Sequence, residues 1–236
     1  MAVIDLCCSD LRFFSQNLWL AGKTASAGPG LDGRSQVLVS ENRIWRARLD
    51  LTAENGPGVL KFRQMAAKLN GRAGRIRMCV INFFTPRYNG NLQEFYDLLG
   101  ISPADIAAGF MPFSDNSTFS DGTGFALPSP SEPRVTGSYQ AGATQIAVSG
   151  VYGEMLQPGA YFSINDFLYI VEENSAGLLT FSPPLREAIA IGDTVNVSAP
   201  KIQVRLSSDA GFRPEVENFR RVKPMSLDLE EAFERD

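Results

Sequence analysis

The feature that most constrains the fold is a series of short apolar stretches separated by turn residues in the second half of the chain. The predicted strands are residues 145–148, 161–164, 167–171, 178–181 and 194–197. Five strands within about 65 residues are typical of a small barrel or a compact sandwich. The 21 glycines and 14 prolines of this 236-residue chain also favour many turns over a helical bundle.

The first part of the chain combines a strand pattern with a helix pattern. Residues 44–51 alternate strictly, which predicts that Trp45, Ala47, Leu49 and Leu51 face a core while the arginines between them face outward. Apolar residues at helical spacing predict a helix over 59–70, with a left-handed residue at its end. A strand over 75–84 follows, so we expect a helix lying across a β-sandwich.

Weaker patterns give further expectations for the first part and for the C-terminus. Residues 3–20 are expected to form one or two strands with Trp19 as a core anchor, and 21–34 a flexible loop. A hairpin is predicted with 37–39 as its first strand, a turn at 40–42 and 44–51 as its return strand. The predicted short helices are 92–99 and 103–108, and the acidic tail 227–236 is expected to be a short helix or an edge strand.

Together these patterns predict a mainly β fold, a β-sandwich with one packed helix plus an inserted small β-barrel or sandwich domain. The predicted large domain comprises residues 1–132 and 199–236, with a loop insertion at about 84–132. Residues 133–198 form the predicted inserted domain. Residues 200–206 and 222–225 are expected to return to the first sheet.

The composition excludes several classes of activity. The chain has no histidine, so no Ser-His-Asp triad or Cys-His pair can form and no imidazole can bind zinc. No G-x-x-x-x-G-K-[ST] motif occurs and no G-x-G-x-x-G lies between a predicted strand and a predicted helix, and the carboxylates fall in ordinary turn contexts. We therefore predict that the protein is not an enzyme and has no catalytic residues, cofactor or metal site. A glycosidase-type carboxylate pair remains a minor alternative.

Charge and hydropathy limit the compartment and the partners. A net charge of -4 and a pI of about 5.1 argue against general nucleic-acid binding. No apolar run approaches the roughly 18 residues of a membrane-spanning helix. The N-terminus lacks the basic and apolar regions of a signal peptide, which predicts folding in a cytoplasm. Cys7, Cys8 and Cys79 are accordingly expected to be reduced structural thiols.

The charges are distributed unevenly along the chain. Between residues 41 and 77 there are nine basic and three acidic residues, whereas 228–236 contain five acids and one arginine. These patches are either two solvated faces or two halves of a repeated subunit contact, where charge sets the register. For a subunit contact, the predicted charged residues are Arg43, Arg46, Arg48, Arg75, Arg77, Glu230 and Glu231.

Aromatic residues are concentrated in the Gly/Ser/Asp-rich stretch between residues 84 and 133. They include Phe84, Tyr88, Phe110, Phe113, Phe119 and Phe125. Clustered aromatic side chains on a loop favour a protein interface, and Phe110, Phe113 and Phe119 are the predicted contact residues. Local packing beneath the loop is the alternative.

Several of these stretches resemble one family. The stretch from Phe162 to Val171 has an F-x-I-x-x-x-L-Y pattern, and Pro183-Pro-Leu-Arg and Gly192-Asp-Thr-Val follow it. With Trp45-Arg-Ala-Arg-Leu and Leu69-Asn-Gly-Arg, they resemble the distal tail and minor tail-tip proteins of long, flexible-tailed bacteriophages. The resemblance covers about two thirds of the chain, and these motifs are structural.

The resemblance implies a structural component of the virion tail tip, assembled in the host cytoplasm. In that family a β-sandwich domain forms a ring, often hexameric, that joins the tail tube to the baseplate hub. The implied partners are further copies of this chain, the tail tube protein, the baseplate hub protein and the tape-measure protein, without nucleic acid or membrane. The alternative function is a carbohydrate- or receptor-binding module, with Tyr139, Tyr152, Tyr161 and Tyr169 stacking on sugars, although alternating core positions explain Tyr161 and Tyr169 equally well.

Overall fold

A computed structural model describes residues 3–6, 13–22, 24–29, 35–39, 43–81, 92–127, 132–209, 211–218 and 220–234. The strands are β1 (Val3–Asp5), β2 (Phe13–Ala21), β3 (Thr24–Pro29), β4 (Ser35–Val39), β5 (Ile44–Leu51), β6 (Glu54–Asn55), β7 (Arg75–Cys79), β8 (Phe110–Met111), β9 (Phe125–Ala126), β10 (Arg134–Val135), β11 (Gln145–Ser149), β12 (Tyr161–Ile164), β13 (Phe167–Ser175), β14 (Leu178–Ser182), β15 (Lys201–Leu206), β16 (Val216–Glu217), β17 (Arg221–Val222) and β18 (Met225–Glu231). The helices are α1 (Pro57–Leu69), α2 (Leu92–Leu98), α3 (Pro103–Ala108) and α4 (Val151–Met155), and a 3-10 turn covers Gly71–Ala73.

The larger unit is built on a six-stranded sheet in the order β1-β7-β15-β18-β5-β2. Only the β1–β7 pair is parallel; the other neighbours are antiparallel. Alternation along β5 buries Trp45, Ala47, Leu49 and Leu51, as the sequence predicts. The predicted mainly β class, with several sheets, is confirmed.

Helix α1 covers the apolar face of this sheet. Val59, Phe62, Met65 and Leu69 are its buried residues, at the spacing of one helical face, and Phe62 stacks on Phe212 with ring centroids 5.9 Å apart. A proline in the first turn suits the start of the helix, where backbone N–H groups have no intrahelical partner. The helix ends in the left-handed conformation, as its sequence predicts.

The smaller unit is a five-stranded antiparallel sheet in the order β10-β11-β14-β13-β12. Its core contains three mutually contacting rings, Phe162, Tyr169 and Phe181, with centroids 5.2 to 5.4 Å apart. Four of the five strands predicted for this part are present. Residues 194–197 form isolated bridges with Arg134 and Ser163 instead of a named strand.

The sequence of the smaller unit lies between β7 and β15, which are adjacent strands of the large sheet. β7 and β15 pair directly, with Cys79 opposite Lys201, although more than a hundred residues separate them in sequence. This topology is that of an insertion into the large sheet. The predicted boundaries, 133–198 within 1–132 and 199–236, stay a prediction.

Several predictions for the N-terminal part of the chain are wrong. Trp19 is 44% exposed because Leu18 and Leu20, its neighbours on β2, take the inward-facing positions. Part of the predicted flexible loop forms β3, which pairs with β4, so β5 is not the return strand of that hairpin. Cys79 is disulfide-bonded, which contradicts the expected reduced thiol. Cys7 and Cys8 lie outside the described residues.

The acidic C-terminal stretch also differs from its prediction. It contributes β18, an internal strand of the large sheet between β15 and β5. Leu227 and Leu229 are buried while Asp228 between them is exposed, so the acids occupy the outward half of a strand alternation. The prediction of an edge strand or a helix is therefore wrong. The many acidic residues made the alternation of buried and outward-facing positions difficult to recognise in the sequence.

Candidate interaction surfaces

The outer face of the large sheet carries the arginines that the sequence assigns to an interface. The cross-strand register gives two neighbouring rows, one of Trp19, Arg46, Glu230 and Arg205, the other of Asn17, Arg48 and Asp228. Arg46 and Arg48 are exposed there, as is Arg43 just before β5. The structure therefore brings Arg46 and Arg48 onto one solvent-facing surface beside an exposed tryptophan.

Glu230, the acid in the first row, already has two basic partners within the chain. Its Oε1 accepts hydrogen bonds from Arg72 Nη2 at 2.6 Å and from Arg205 Nε at 3.1 Å. Partial burial opposes ionisation of this carboxyl, but the two guanidinium groups together outweigh it and hold the pKa of Glu230 below its ordinary value. The carboxylate therefore stabilises its own sheet.

Two of the predicted arginines are also engaged internally. Arg77 Nε donates to Asp166 Oδ2 at 2.7 Å, which joins the large sheet to the turn between β12 and β13. Arg75 is buried, and its Nη1 donates to the backbone oxygen of Glu234 at 2.7 Å. Arg75 is therefore not on the surface that the sequence analysis assigned to it.

Glu231 forms a buried ion pair at the junction of the two sheets. Arg186, from the smaller unit, donates from Nη2 to Glu231 Oε2 at 2.8 Å and from Nε to Oε1 at 3.1 Å. The two side chains are 9% and 0% exposed. The backbone N–H of Trp45 donates to Oε2 at 3.0 Å, so the buried carboxylate accepts three hydrogen bonds. Glu231 is thus buried, and its assignment to an exposed interface is wrong.

Apolar and polar contacts surround this ion pair. Trp45 Nε1 donates to the backbone oxygen of Leu168 at 2.7 Å, and its ring meets the Tyr161 ring edge-on at 5.8 Å. The Arg186 guanidinium lies 4.9 Å from the centre of the Phe233 ring. A buried ion pair, a hydrogen bond from the Trp45 indole and aromatic packing therefore stabilise the junction between the two sheets.

The predicted contact between a basic face and an acidic tail is thus largely made inside one chain. Glu230 and Glu231 pair with Arg72, Arg205 and Arg186, and none of these three was among the predicted partners. The sequence identifies one basic and one acidic patch, but the residues with which Glu230 and Glu231 pair were not predicted. Contact between subunits through Arg43, Arg46 and Arg48 stays a prediction.

A second candidate surface lies in the stretch between β8 and β9. Phe113, Phe119 and Phe125 form an edge-to-face cluster with centroids 5.0 to 5.4 Å apart. Phe119 and Phe125 are 42% and 49% exposed, while Phe110 is half-buried in β8. The rings therefore pack locally and still present apolar area to solvent. Phe84 and Tyr88 lie outside the described residues.

This cluster follows from a six-residue repeat that the sequence analysis did not detect. Residues 113–117 and 119–123 share the pattern F-S-D-x-[ST], and Phe125 follows Phe119 at the same six-residue interval. In each repeat the aspartate accepts hydrogen bonds from the backbone N–H and the hydroxyl two residues later, at 2.6 to 3.0 Å. These bonds, led by the hydroxyl groups of Ser117 and Thr123, lower the pKa of Asp115 and of Asp121. Because the two repeats form the same turn, their phenylalanine rings lie on the same side of this segment.

The tyrosines proposed for sugar stacking have structural positions instead. Tyr152 and Tyr169 are buried, and Tyr139 accepts a hydrogen bond from the Ala147 backbone N–H at 2.9 Å. Burial raises the pKa of Tyr169, whose hydroxyl accepts a hydrogen bond from the Arg186 backbone N–H at 3.2 Å. Tyr161 packs on Trp45. The buried Tyr152 and Tyr169 therefore do not stack on a sugar, whereas a contact through the half-buried Tyr139 and Tyr161 stays a prediction.

A groove of about 610 Å³ lies at the start of α1 and is lined by Asn55, Gly56, Val59, Leu60, Arg63 and Arg220. Leu60 is 64% exposed, although its neighbour Val59 is buried. Sequence analysis did not select these residues. Leu60 is the apolar residue of the helix pattern that falls outside the buried face, and Arg220 joins Arg63 only through the fold.

Within the described residues, no group of three His, Cys, Asp or Glu side chains is arranged to hold a metal ion, and no helix is long and apolar enough to span a membrane. Comparison of the chain with protein-family models and with curated proteins finds no match in either.

Proposed function

We propose that this protein is a non-enzymatic structural subunit of a bacteriophage tail tip, a distal tail protein that forms a ring between the tail tube and the baseplate hub. The support comes from the positions of the motifs that resemble this family. The F-x-I-x-x-x-L-Y stretch forms the β12–β13 hairpin, and the arginine of the P-x-L-R stretch is the buried partner of Glu231.

The observation that carries the proposal is the junction made by Arg186, Glu231, Trp45 and Leu168. These contacts hold the smaller sheet on the larger one through a buried ion pair rather than through a flexible linker. A ring subunit needs this property, because closure requires two different surfaces of each copy to keep a fixed relative orientation. The residues of these motifs therefore fix the orientation of the smaller sheet relative to the larger one.

Purified protein tests this proposal directly. Negative-stain images and sedimentation velocity are expected to show closed rings, formed by the chain alone or together with the neighbouring tail tube and hub proteins. A chain that remains monomeric alone and does not associate with those proteins contradicts the proposal.

The exposed phenylalanine cluster favours receptor or carbohydrate binding as a second candidate function. Phe119 and Phe125 offer apolar rings beside carboxylates and hydroxyl groups, which are the chemical groups that contact sugars. A glycan array with the wild type and a Phe119→Ala/Phe125→Ala variant tests this candidate. Binding that disappears in the variant supports it, and binding that persists or is absent from both proteins opposes it.

A further inference from the structure

The groove at the start of α1 combines an exposed apolar centre with unpaired positive charge. Arg63 and Arg220 are both exposed, and within the part of the chain that the structure describes neither side chain has an ion-pair or hydrogen-bond partner. Leu60 lines the same groove. Leucine flanked by free guanidinium groups favours a partner that has both an apolar side chain and carboxylates.

The hairpin formed by β13 and β14 has the opposite charge around a similar apolar centre. Leu178 is 43% exposed and shares the solvent-facing side of the sheet with Glu173, since Glu173 pairs with Thr180 and Ser175 pairs with Leu178. Glu154, on α4, lies at the end of the same turn but on the other side of the hairpin, where Asn174 Nδ2 donates to the backbone oxygen of Gly153 at 2.9 Å, and its Cγ is 3.7 Å from the point where a Cβ on Gly177 would lie. Across the described residues, the carboxylates of Glu154 and Glu173 have no basic partner.

The wider charge distribution of the two units agrees with this local complementarity. Residues 1–81 and 201–236 together contain 19 basic and 14 acidic residues, whereas residues 132–200 contain seven acidic and two basic ones. Helix α1 itself contains three basic residues and no acidic ones. The larger unit therefore attracts the smaller unit of another molecule over the range of a Debye length, before any contact forms.

The groove and the hairpin do not meet within one chain. The groove is lined by residues from β6, the first turns of α1 and the segment before β17, and by none from the smaller unit. From these observations we infer that the groove of Leu60, Arg63 and Arg220 on one copy binds the hairpin tip of Leu178, Glu173 and Glu154 on the next copy. This inference rests on the proposed ring function and names its contact.

Such a contact is heterologous, because two different surfaces meet. Repeating it produces a closed ring when the rotation between copies closes, and an open filament when it does not. The leucines supply the apolar centre, and the Arg–Glu pairs at its rim fix the register more than the affinity. Because these charges are exposed, salt is expected to weaken the association.

Charge reversal on each side provides the test. The groove variant is Arg63→Glu/Arg220→Glu, and the tip variant is Glu154→Lys/Glu173→Lys. A control variant, Arg213→Glu/Arg221→Glu, changes the net charge as much as the groove variant does, at exposed arginines that do not line the groove. All six positions are exposed, so unfolding midpoints are expected to stay near that of the wild type.

Sedimentation velocity of each full-length protein measures the result. We expect each reversed variant alone to raise the dissociation constant of self-association by at least about tenfold, because like charges then face each other. The control variant is expected to associate like the wild type. An equimolar mixture of the groove and tip variants is expected to restore association, since both of its contacts are again between opposite charges.

Two results separate this inference from the function on which it rests. If the wild type forms rings and the groove variant associates equally well, or the mixture fails to restore association, the assigned contact is wrong and the ring function stands. If the wild type does not associate with itself or with tail proteins, the proposed function fails, and the inference fails with it.

Discussion

Charged residues have opposite roles in two regions of this molecule. At the junction of the sheets, Arg186 and Glu231 are buried and paired, whereas at the groove and the hairpin tip Arg63 and Glu173 are exposed, and the described residues provide them with no partner. Both regions combine basic residues with acidic ones, so composition alone does not distinguish them. The difference shows that burial decides whether a charge maintains the fold or remains available to another molecule.

The strongest way to break this contrast is to neutralise one carboxylate in each region. Glu231→Gln is expected to lower the free energy of unfolding by about 3–5 kcal/mol, because it leaves a buried guanidinium without its counter-ion. Glu173→Gln, at an exposed carboxylate, is expected to change it by less than about 0.5 kcal/mol. Urea unfolding of both variants measures the difference. Similar small losses for both contradict the structural role assigned to the ion pair.

A double substitution sharpens the same comparison. Arg186→Met/Glu231→Leu removes both charges and is expected to cost less than Glu231→Gln alone, because no uncompensated charge remains. If the double variant is less stable than the single variant, the charges themselves contribute net stability.

A comparison of two glycines, of which Gly177 lies at the hairpin tip, is expected to give slightly smaller changes in stability. Gly177 and Gly192 have φ values of +88° and +90°, but a Cβ would lie 2.7 Å from the Val148 oxygen at Gly177 and in open space at Gly192. We expect Gly192→Ala to cost about 1–2 kcal/mol from backbone strain. Gly177→Ala is expected to cost about 2–4 kcal/mol, because crowding adds to the strain. Thermal unfolding of the two variants separates the cost of backbone strain from the cost of crowding. Equal losses of stability in the two variants mean that the turn around Gly177 relaxes to accommodate the Cβ.

The two tryptophans compare a junction residue with a surface residue. Trp45→Phe removes the donor to the Leu168 oxygen and is expected to cost about 1–3 kcal/mol. Trp19→Phe changes an exposed ring on β2 and is expected to cost less than about 0.5 kcal/mol. Chemical denaturation of both proteins tests this ranking, and a larger loss at Trp19 reverses it.

The smallest expected effect is the pH dependence from Glu230. Since its pKa is lower in the folded protein than its ordinary 4.5, its contribution is present above pH 4.5 and is lost as the pH falls through the folded pKa. Glu230→Gln is expected to remove about 1 kcal/mol at neutral pH and to flatten the stability profile below pH 4.5. Unfolding measured from pH 3 to pH 7 tests this, and an unchanged slope contradicts it.

Alternation and helical spacing predicted much of the fold from the sequence. β5, α1, α3 and β12 lie close to their predicted positions, because their apolar residues follow one period and turn residues bound them. The prediction of Trp19 failed because two leucines on the same strand compete with it for the core. β18 was not predicted as an internal strand, because its outward acids concealed the alternation of Leu227 and Leu229.

The candidate surfaces were less predictable than the strands. Local sequence gave the exposure of Arg46 and Arg48, since they alternate with core residues. It gave neither the burial of Glu231 nor the meeting of Arg63 with Arg220, because those depend on contacts between segments far apart in the chain. The phenylalanine repeat could have been found from its six-residue period.

We propose that this chain functions by head-to-tail contact between unlike surfaces of its own copies. Mass photometry of the purified full-length protein, together with the tail tube and hub proteins proposed as its partners, is the decisive measurement. We expect closed particles that contain several copies of the 25.8 kDa chain and that dissociate as the salt concentration rises. Particles that contain only a single copy of this chain under every condition contradict it.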